Sequence, residues 1–157
     1  MIMEGQKMND IYKPAHPATI ASHRAMKGAL PFADRQDFED ARRGLIAPAP
    51  RKLTNPEGRV VWDTEVYSFV DEHAQAPDTV NPSLWRQAQL NMIGGLFNVC
   101  GRVYQVRGLD LSNMTIIEGD TGLIIIDPVT SVETAKACIE LYFEHRPHRP
   151  VVAVIYS

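Results

Sequence analysis

A chain of 157 residues with 45% hydrophobic and 22% charged side chains suits one domain, and at this size folding buries roughly 70% of the unfolded surface. A formal charge of −3 and a pI near 5.9 leave no basic footprint, so nucleic acid and anionic membranes are not expected partners. No stretch approaches the roughly 20 apolar residues of a membrane span.

The beginning, Met1-Ile-Met-Glu-Gly-Gln-Lys-Met8, has no apolar run of the kind a secretory leader carries. Residues 1–80 hold seven of the eleven prolines and few sustained apolar runs, and are expected to form an extended arm with local elements. Residues 1–28 in particular lack apolar periodicity, carry Pro14 and Pro17, and are expected to touch the core little. Within the arm, Asp34 can cap a short helix near 34–43, with Asp37 in its first turn, Glu39 and Arg43 spaced i,i+4, and Gly44 as its stop. Asn55-Pro-Glu-Gly58 is turn chemistry leading into a short strand at Val60-Val-Trp62.

Asn81 followed by Pro82 starts a helix, with Asn as N-cap and Pro at the first helical position, and Leu84, Trp85 and Ala88 as its buried stripe. Leu96–Cys100 and Arg102–Val106 flank Gly101 as a hairpin, and Met114–Ile117 and Leu123–Ile126 flank Gly119-Asp-Thr-Gly122 as a second. The non-alternating run at 123–126 predicts a strand covered on both faces. Asp127-Pro128 ends it, and Thr130 with Glu133 forms a capping box. Val132, Ala135, Ile139, Tyr142 and Phe143 share one helical face, Pro147 closes the helix, and Val151–Ile155 is a further strand. Strand, helix and strand within some thirty residues make a right-handed βαβ crossover with parallel strands. Residues 81–157 are therefore the first part of an α/β domain.

Ligands of open α/β sheets bind beyond the carboxyl ends of the strands. Here the last strand reaches Ile155-Tyr156-Ser157, and any loop it would aim lies beyond the sequence. Truncation of a larger enzyme is the expectation. Several stretches resemble the N-terminal region of the alkyl sulfatases of the metallo-β-lactamase superfamily, the type that hydrolyses dodecyl sulfate. They are Leu30-Pro-Phe-Ala-Asp-Arg-Gln-Asp-Phe38 with Arg43-Gly-Leu-Ile-Ala-Pro48, Thr79-Val-Asn-Pro-Ser-Leu-Trp-Arg-Gln87, Tyr104-Gln-Val-Arg-Gly-Leu-Asp-Leu-Ser-Asn113, Ile124-Ile-Ile-Asp-Pro128, and His145-Arg-Pro with Pro150-Val-Val-Ala-Val-Ile-Tyr156. They occur in the family's order and span nearly the whole chain from Lys27 onward.

The resemblance implies an incomplete αββα sandwich of α/β (α+β) class. It also implies a parent enzyme that hydrolyses alkyl sulfates with two zinc ions, a homodimer, and a His-X-His-X-Asp-His loop of zinc ligands directly after the last strand. The chain stops before that loop, so none of the family's metal ligands or catalytic residues falls within it. By itself it is expected to bind no zinc and to be inactive. Family members are often periplasmic or secreted, so the chain is either cytoplasmic or exported with its leader missing. The rival expectation is a non-catalytic assembly module, its sheet completed by another chain.

Two residues stand out as site candidates. The resemblance places Asp127 beneath the zinc loop as a supporting group, against a plain role in ending the strand. Asn113, at what could be the same rim, is a weaker substrate-facing candidate against a local turn in Asp110-Leu-Ser-Asn113. His145 and His148 have a metal-like spacing but straddle Pro147, and His16, His23 and His73 have no partners in sequence. Trp62, Trp85, Phe97 and Tyr104 are expected to pack. Cys100 and Cys138 have no metal or framework spacing and read as reduced and buried.

Overall fold

The structure is a computed structural model that describes residues 13–157. Its first element, α1 (Pro17–Ala29), starts at Pro17, and the ring of His16 accepts a hydrogen bond from the Ala18 amide at 3.2 Å. Residues 17–29 are thus a helix where an extended arm was expected. The prolines precede the helix and do not interrupt it, and proline is well tolerated at a first helical position. No α1 residue is buried, and its ties run to later residues: His23 to the Asp78 carbonyl at 3.0 Å and Met26 to the Ser83 hydroxyl at 3.4 Å. The remainder of the expected arm, residues 1–12, lies outside the described residues.

Helix α2 (Gln36–Arg42) forms where predicted, but its N-cap is Arg35 and not Asp34, whose carboxylate instead accepts from the Gln36 amide at 2.9 Å just ahead of the helix. Its buried Phe38 lies against the Arg35 guanidinium, 3.6 Å from the ring centroid. Gly44 ends the segment with φ +76°, and a Cβ there would meet the Asn98 carbonyl oxygen at 2.1 Å, so only glycine fits. Strands β1 (Leu45–Pro48), β2 (Lys52–Thr54) and β3 (Val60–Asp63) follow, the last two paired across the predicted Asn55–Gly58 turn. After a 3-10 turn at Glu65–Tyr67 come the short α3 (Phe69–Glu72) and α4 (Pro82–Asn91). Asn81 caps α4 as expected, its side chain accepting from Ser83 and Leu84. Only part of the predicted α4 stripe holds: Trp85 is buried, but Leu84 is 66% exposed.

Strands β4 (Gly95–Cys100), β5 (Val103–Arg107), β6 (Met114–Glu118) and β7 (Leu123–Ile126) form the two predicted hairpins. Helix α5 (Val132–His145) then crosses to β8 (Val151–Ile155), which pairs parallel to β7. The main sheet runs β1-β4-β5-β6-β7-β8. A strand from the supposed arm, β1, is its edge, and Ala47 joins the core. The expected boundary near residue 80 is therefore bridged by backbone pairing.

One face of the sheet, with Leu96, Tyr104, Val106, Met114, Ile116, Leu123 and Ile125, packs on Cys138, Leu141 and Tyr142 of α5, and Leu53 and Trp62 adjoin the same core. The stripe of α5 is rotated from the predicted one. Thr134, Cys138, Leu141 and Tyr142 are buried, whereas Val132 is 82% exposed. The cap is Ser131, whose hydroxyl accepts from the Thr134 amide at 3.2 Å, which leaves Thr130 free for another contact. Burial alternates along β7 and β8 is exposed throughout, so the expected two-sided cover is absent among the described residues. Among the described residues, α5 and the adjoining β2–β3 pair cover one face, and the other is covered only in part, with Phe97 fully buried on it. Cys100, expected inside, is exposed at the end of β4.

Candidate functional site

The pairing registers bring Pro48, Gly95, Arg107, Met114, Ile126 and Ile155 to one rim of the sheet. This is the rim beyond the carboxyl ends of the parallel pair, where chemistry was expected. A cleft of about 800 Å³ opens there. Its walls include Pro48 and Pro50, Trp62, Leu90, Met92 and Ile93, and its polar groups include Arg51, Thr64, Asn91, Arg107, Asp110 and Asn113. Gly94 and Gly108 cross closely at its floor: a Cβ on Gly108, whose φ is +82°, would lie 3.0 Å from the Gly94 Cα. That crossing presents the Gly108 carbonyl to the Trp62 indole, which donates to it at 3.0 Å.

The charges along the cleft are mostly committed. Asp37 accepts from Arg86 at 2.7 Å through both oxygens, and that hydrogen bond, against some burial, holds its carboxyl below the usual range. Asp40 pairs with Arg43, and Arg51 with Asp71 at 2.5 Å. Arg107 is different. Its guanidinium lies over the Phe97 ring at 4.4 Å and donates to Gln105 at 2.6 Å, and among the described residues it has no carboxylate partner. The uncommitted charge on the cleft is therefore positive and sits beside apolar walls. Such a surface suits an amphiphilic anion.

Asn113 lines this cleft and is exposed, so the weaker sequence candidate is at the rim. Asp127 is at the same rim, just past β7, although it does not line the cleft. Its amide donates to the Ile155 carbonyl at 2.9 Å. Its carboxylate accepts from both the amide and the hydroxyl of Ser157, each at 2.8 Å. The side chain thus holds the backbone that emerges from β8. Asp127 and Val129 both have left-handed φ, 53° and 61°, which is unusual for a non-glycine and a genuine outlier for β-branched valine.

Asp110 carries more contacts than its sequence neighbourhood suggests. It was read as part of a local turn, and its carboxylate does accept from the Leu111 amide at 2.6 Å. However, it also reaches across to the start of α5. It accepts from the Thr130 amide at 3.0 Å, the Thr130 hydroxyl at 2.8 Å and the Thr134 hydroxyl at 2.5 Å. It is only 8% exposed. Burial pushes its carboxyl up, but the donors from Thr134, Thr130 and Leu111 outweigh that and leave it below the ordinary value. A signal was present in sequence: Thr130 and Thr134 sit at i,i+4 around a helix start, a natural seat for an acid.

The histidine pair does not converge. The ring of His145 meets the Leu141 carbonyl at 3.1 Å, whereas His148 stacks on Phe143 with centroids 4.1 Å apart. Cys138 is buried beside Asp110, and burial pushes its thiol up to about 12, which makes it a packing group. Among the described residues, no three His, Cys, Asp or Glu side chains gather as a metal site. Trp85 is buried and donates to the His73 carbonyl at 3.0 Å, and Phe97 and Tyr104 are buried, as expected, whereas Trp62 is only partly buried against the core and also lines the cleft.

No protein-family model matches the chain. An (R)-specific secondary-alkylsulfatase of Pseudomonas sp is 58% identical over 145 residues, 92% of this chain and 22% of that protein. A linear primary-alkylsulfatase of Pseudomonas sp is 50% identical over 159 aligned positions, 100% of this chain and 24% of that protein. A solved double mutant of the sec-alkyl sulfatase PisA1 superposes with a TM-score of 0.85 at 59% identity, covering 92% of this chain and 23% of that one. The chain thus spans less than a quarter of the length of these relatives.

Proposed function

Because this chain is homologous to the alkylsulfatases over nearly its whole length, we propose that the full protein hydrolyses alkyl sulfate esters and that residues 13–157 supply one wall of its site. The observation that carries this reading is the strong identity to two relatives named for different alkyl sulfates, one secondary and one linear primary. The rim cleft supports it. An uncommitted guanidinium at Arg107 beside Trp62, Leu90, Met92 and Ile93 matches a sulfate head on an alkyl chain. Asn113 adds an exposed amide on the same wall.

The zinc ions that the resemblance implies find no ligand set among the described residues. The share of these residues in the chemistry is accordingly to bind and orient. Asp127 fixes the backbone leaving β8, the place from which the resemblance expects the ligand loop to start. A metallo-β-lactamase-like αββα sandwich is part of this proposal, supported by the sheet with one helix-covered face and one open face. So is the homodimer, which sedimentation of the full protein would check.

Sulfate release from dodecyl sulfate and from a secondary alkyl sulfate tests the reading. The full-length protein should turn over at least one, and residues 1–157 alone should release none and retain no zinc after dialysis. No turnover by the full-length protein, or one tightly held zinc per chain in residues 1–157, would overturn the reading. In the full-length protein Asp127→Asn should lower turnover about 10- to 100-fold, as losing a group that supports a ligand loop usually does. Unchanged turnover would leave Asp127 only its role in the turn.

A further inference from the structure

The β7–α5 turn holds two left-handed non-glycine residues, Asp127 and Val129, each in a conformation that costs free energy. Such a conformation persists only where neighbours over-determine it. Within the turn, the bond of Asp127 to Ser157 joins it to the segment after β8. The other restraint comes from outside the turn. Asp110, in the β5–β6 loop, accepts from the amide and hydroxyl of Thr130, the residue next to Val129, and from Thr134 in the first turn of α5. A local turn needs only the Leu111 bond, and the charge of α5 needs no carboxylate buried to this degree. What the extra bonds accomplish is to pin the far end of the strained turn to the rim.

We propose that Asp110 is a positioning residue that clamps the β7–α5 turn and, through it, sets where Asp127 holds the backbone at Ser157. Asp110 and Asp127 share no hydrogen bond, and the shortest path between their partners runs through residues 128–130. Hydrogen bonds to a charged carboxylate are stronger than neutral ones, and losing the clamp releases the strain it opposes.

Amide hydrogen exchange on the full-length protein tests this without reference to activity. In Asp110→Asn, one face of the side chain becomes a donor facing the donors of Thr130. The amides of Asp127 and Ser157 should then exchange about tenfold faster or more, with the Ile116 amide unchanged. Thr134→Val, a milder change that preserves shape, should accelerate the same two amides by a smaller factor, and Thr134→Ser should restore the wild-type rates. Unchanged exchange at 127 and 157, or equal acceleration at Ile116, would overturn the clamp. A second arm rests on the proposed sulfatase activity: Asp110→Asn should lower kcat and leave KM within about twofold. A wild-type enzyme without sulfatase activity would count against the functional reading alone, because the exchange result stands independently of it.

Discussion

The two faces of the main sheet are built from neighbouring residues of the same strands, yet they follow different rules. On the covered face, Tyr104, Val106, Met114, Ile116 and Leu123 are almost completely buried under α5. On the other, Val103, Ile117 and Ile124 form a paired row across three strands and are only half-buried. The covered face also has its polar tie-points satisfied. Tyr142 donates to Glu118 at 2.7 Å, and Arg146 reaches the same carboxylate at 2.8 and 3.0 Å while lying over the Tyr104 ring. The difference teaches that an apolar side chain in a strand reports a layer only when something is there to supply it. Ile-Ile-Ile in β7 describes what the sheet could bury, and α5 decides what it does bury.

Ile116 and Ile117 test that contrast with adjacent isoleucines. Ile116→Ala removes a side chain with no exposed surface and should cost about 2–5 kcal/mol in urea unfolding. Ile117→Ala, half-buried on the open face, should cost about 1 kcal/mol or less if that face is open in the full-length protein too. Equal costs for the two in the full-length protein would break the comparison and mean that a second layer covers Ile117 there.

Much of the fold was legible because its signals are local. Asn81-Pro82, Gly101, the Gly119–Gly122 turn and the strand-helix-strand spacing each name a partner a few residues away, and each element formed where read. Apart from α1, where Pro17 starts a helix locally, the two misreadings with the most consequence concern choices made by distant residues. The N-cap of α5 is Ser131 while Asp110, twenty residues back, engages Thr130, and packing against the sheet buries Thr134 and not Val132. The β1 strand looked like arm because its partner is fifty residues on. Of the site, the rim was readable from strand direction, whereas Asp127 was singled out by the family resemblance alone. The cleft was not, since its walls come from α2, β1, β3, α4 and the β5–β6 loop.

Glu118 sharpens the comparison electrostatically. The Arg146 hydrogen bond holds its carboxyl below the ordinary 4.5, against burial, with Tyr142 adding to the effect. A depressed carboxylate contributes stability that is full above its unfolded value and is lost as pH falls through the folded one. Glu118→Gln should therefore cost about 1–3 kcal/mol at pH 7, and the gap from wild type should narrow progressively below about pH 4.5. Asp110, also depressed, should add to the acid lability of the same face from its own ordinary value of 3.8 downward. A gap independent of pH would assign the loss at position 118 to packing and not to charge.

The smallest effect is expected at Val132, and it checks where the covered face stops. Helical periodicity alone puts Val132 in line with Ile139 and Tyr142, but the side chain is 82% exposed at the first position after the Ser131 cap. Val132→Glu replaces an exposed β-branched residue with a better helix former. It sets a negative charge at the helix N-terminus, where the macrodipole favours it by about 0.3–1 kcal/mol. It also places Glu four residues before Lys136, the favourable order for an i,i+4 pair, although Lys136 already lies 3.7 Å from Glu140 and would be shared. Repulsion from Glu133 offsets part of the gain, so the net change should be between zero and about 1 kcal/mol of stabilisation. Salt should reduce it, because Lys136 and Glu140 are exposed. Had Val132 belonged to the buried stripe, the same substitution would bury a carboxylate with no partner and cost several kcal/mol. Chemical denaturation at low and high salt separates the two outcomes: a loss of more than about 2 kcal/mol would place Val132 inside and return the stripe of α5 to the register that the sequence alone suggests.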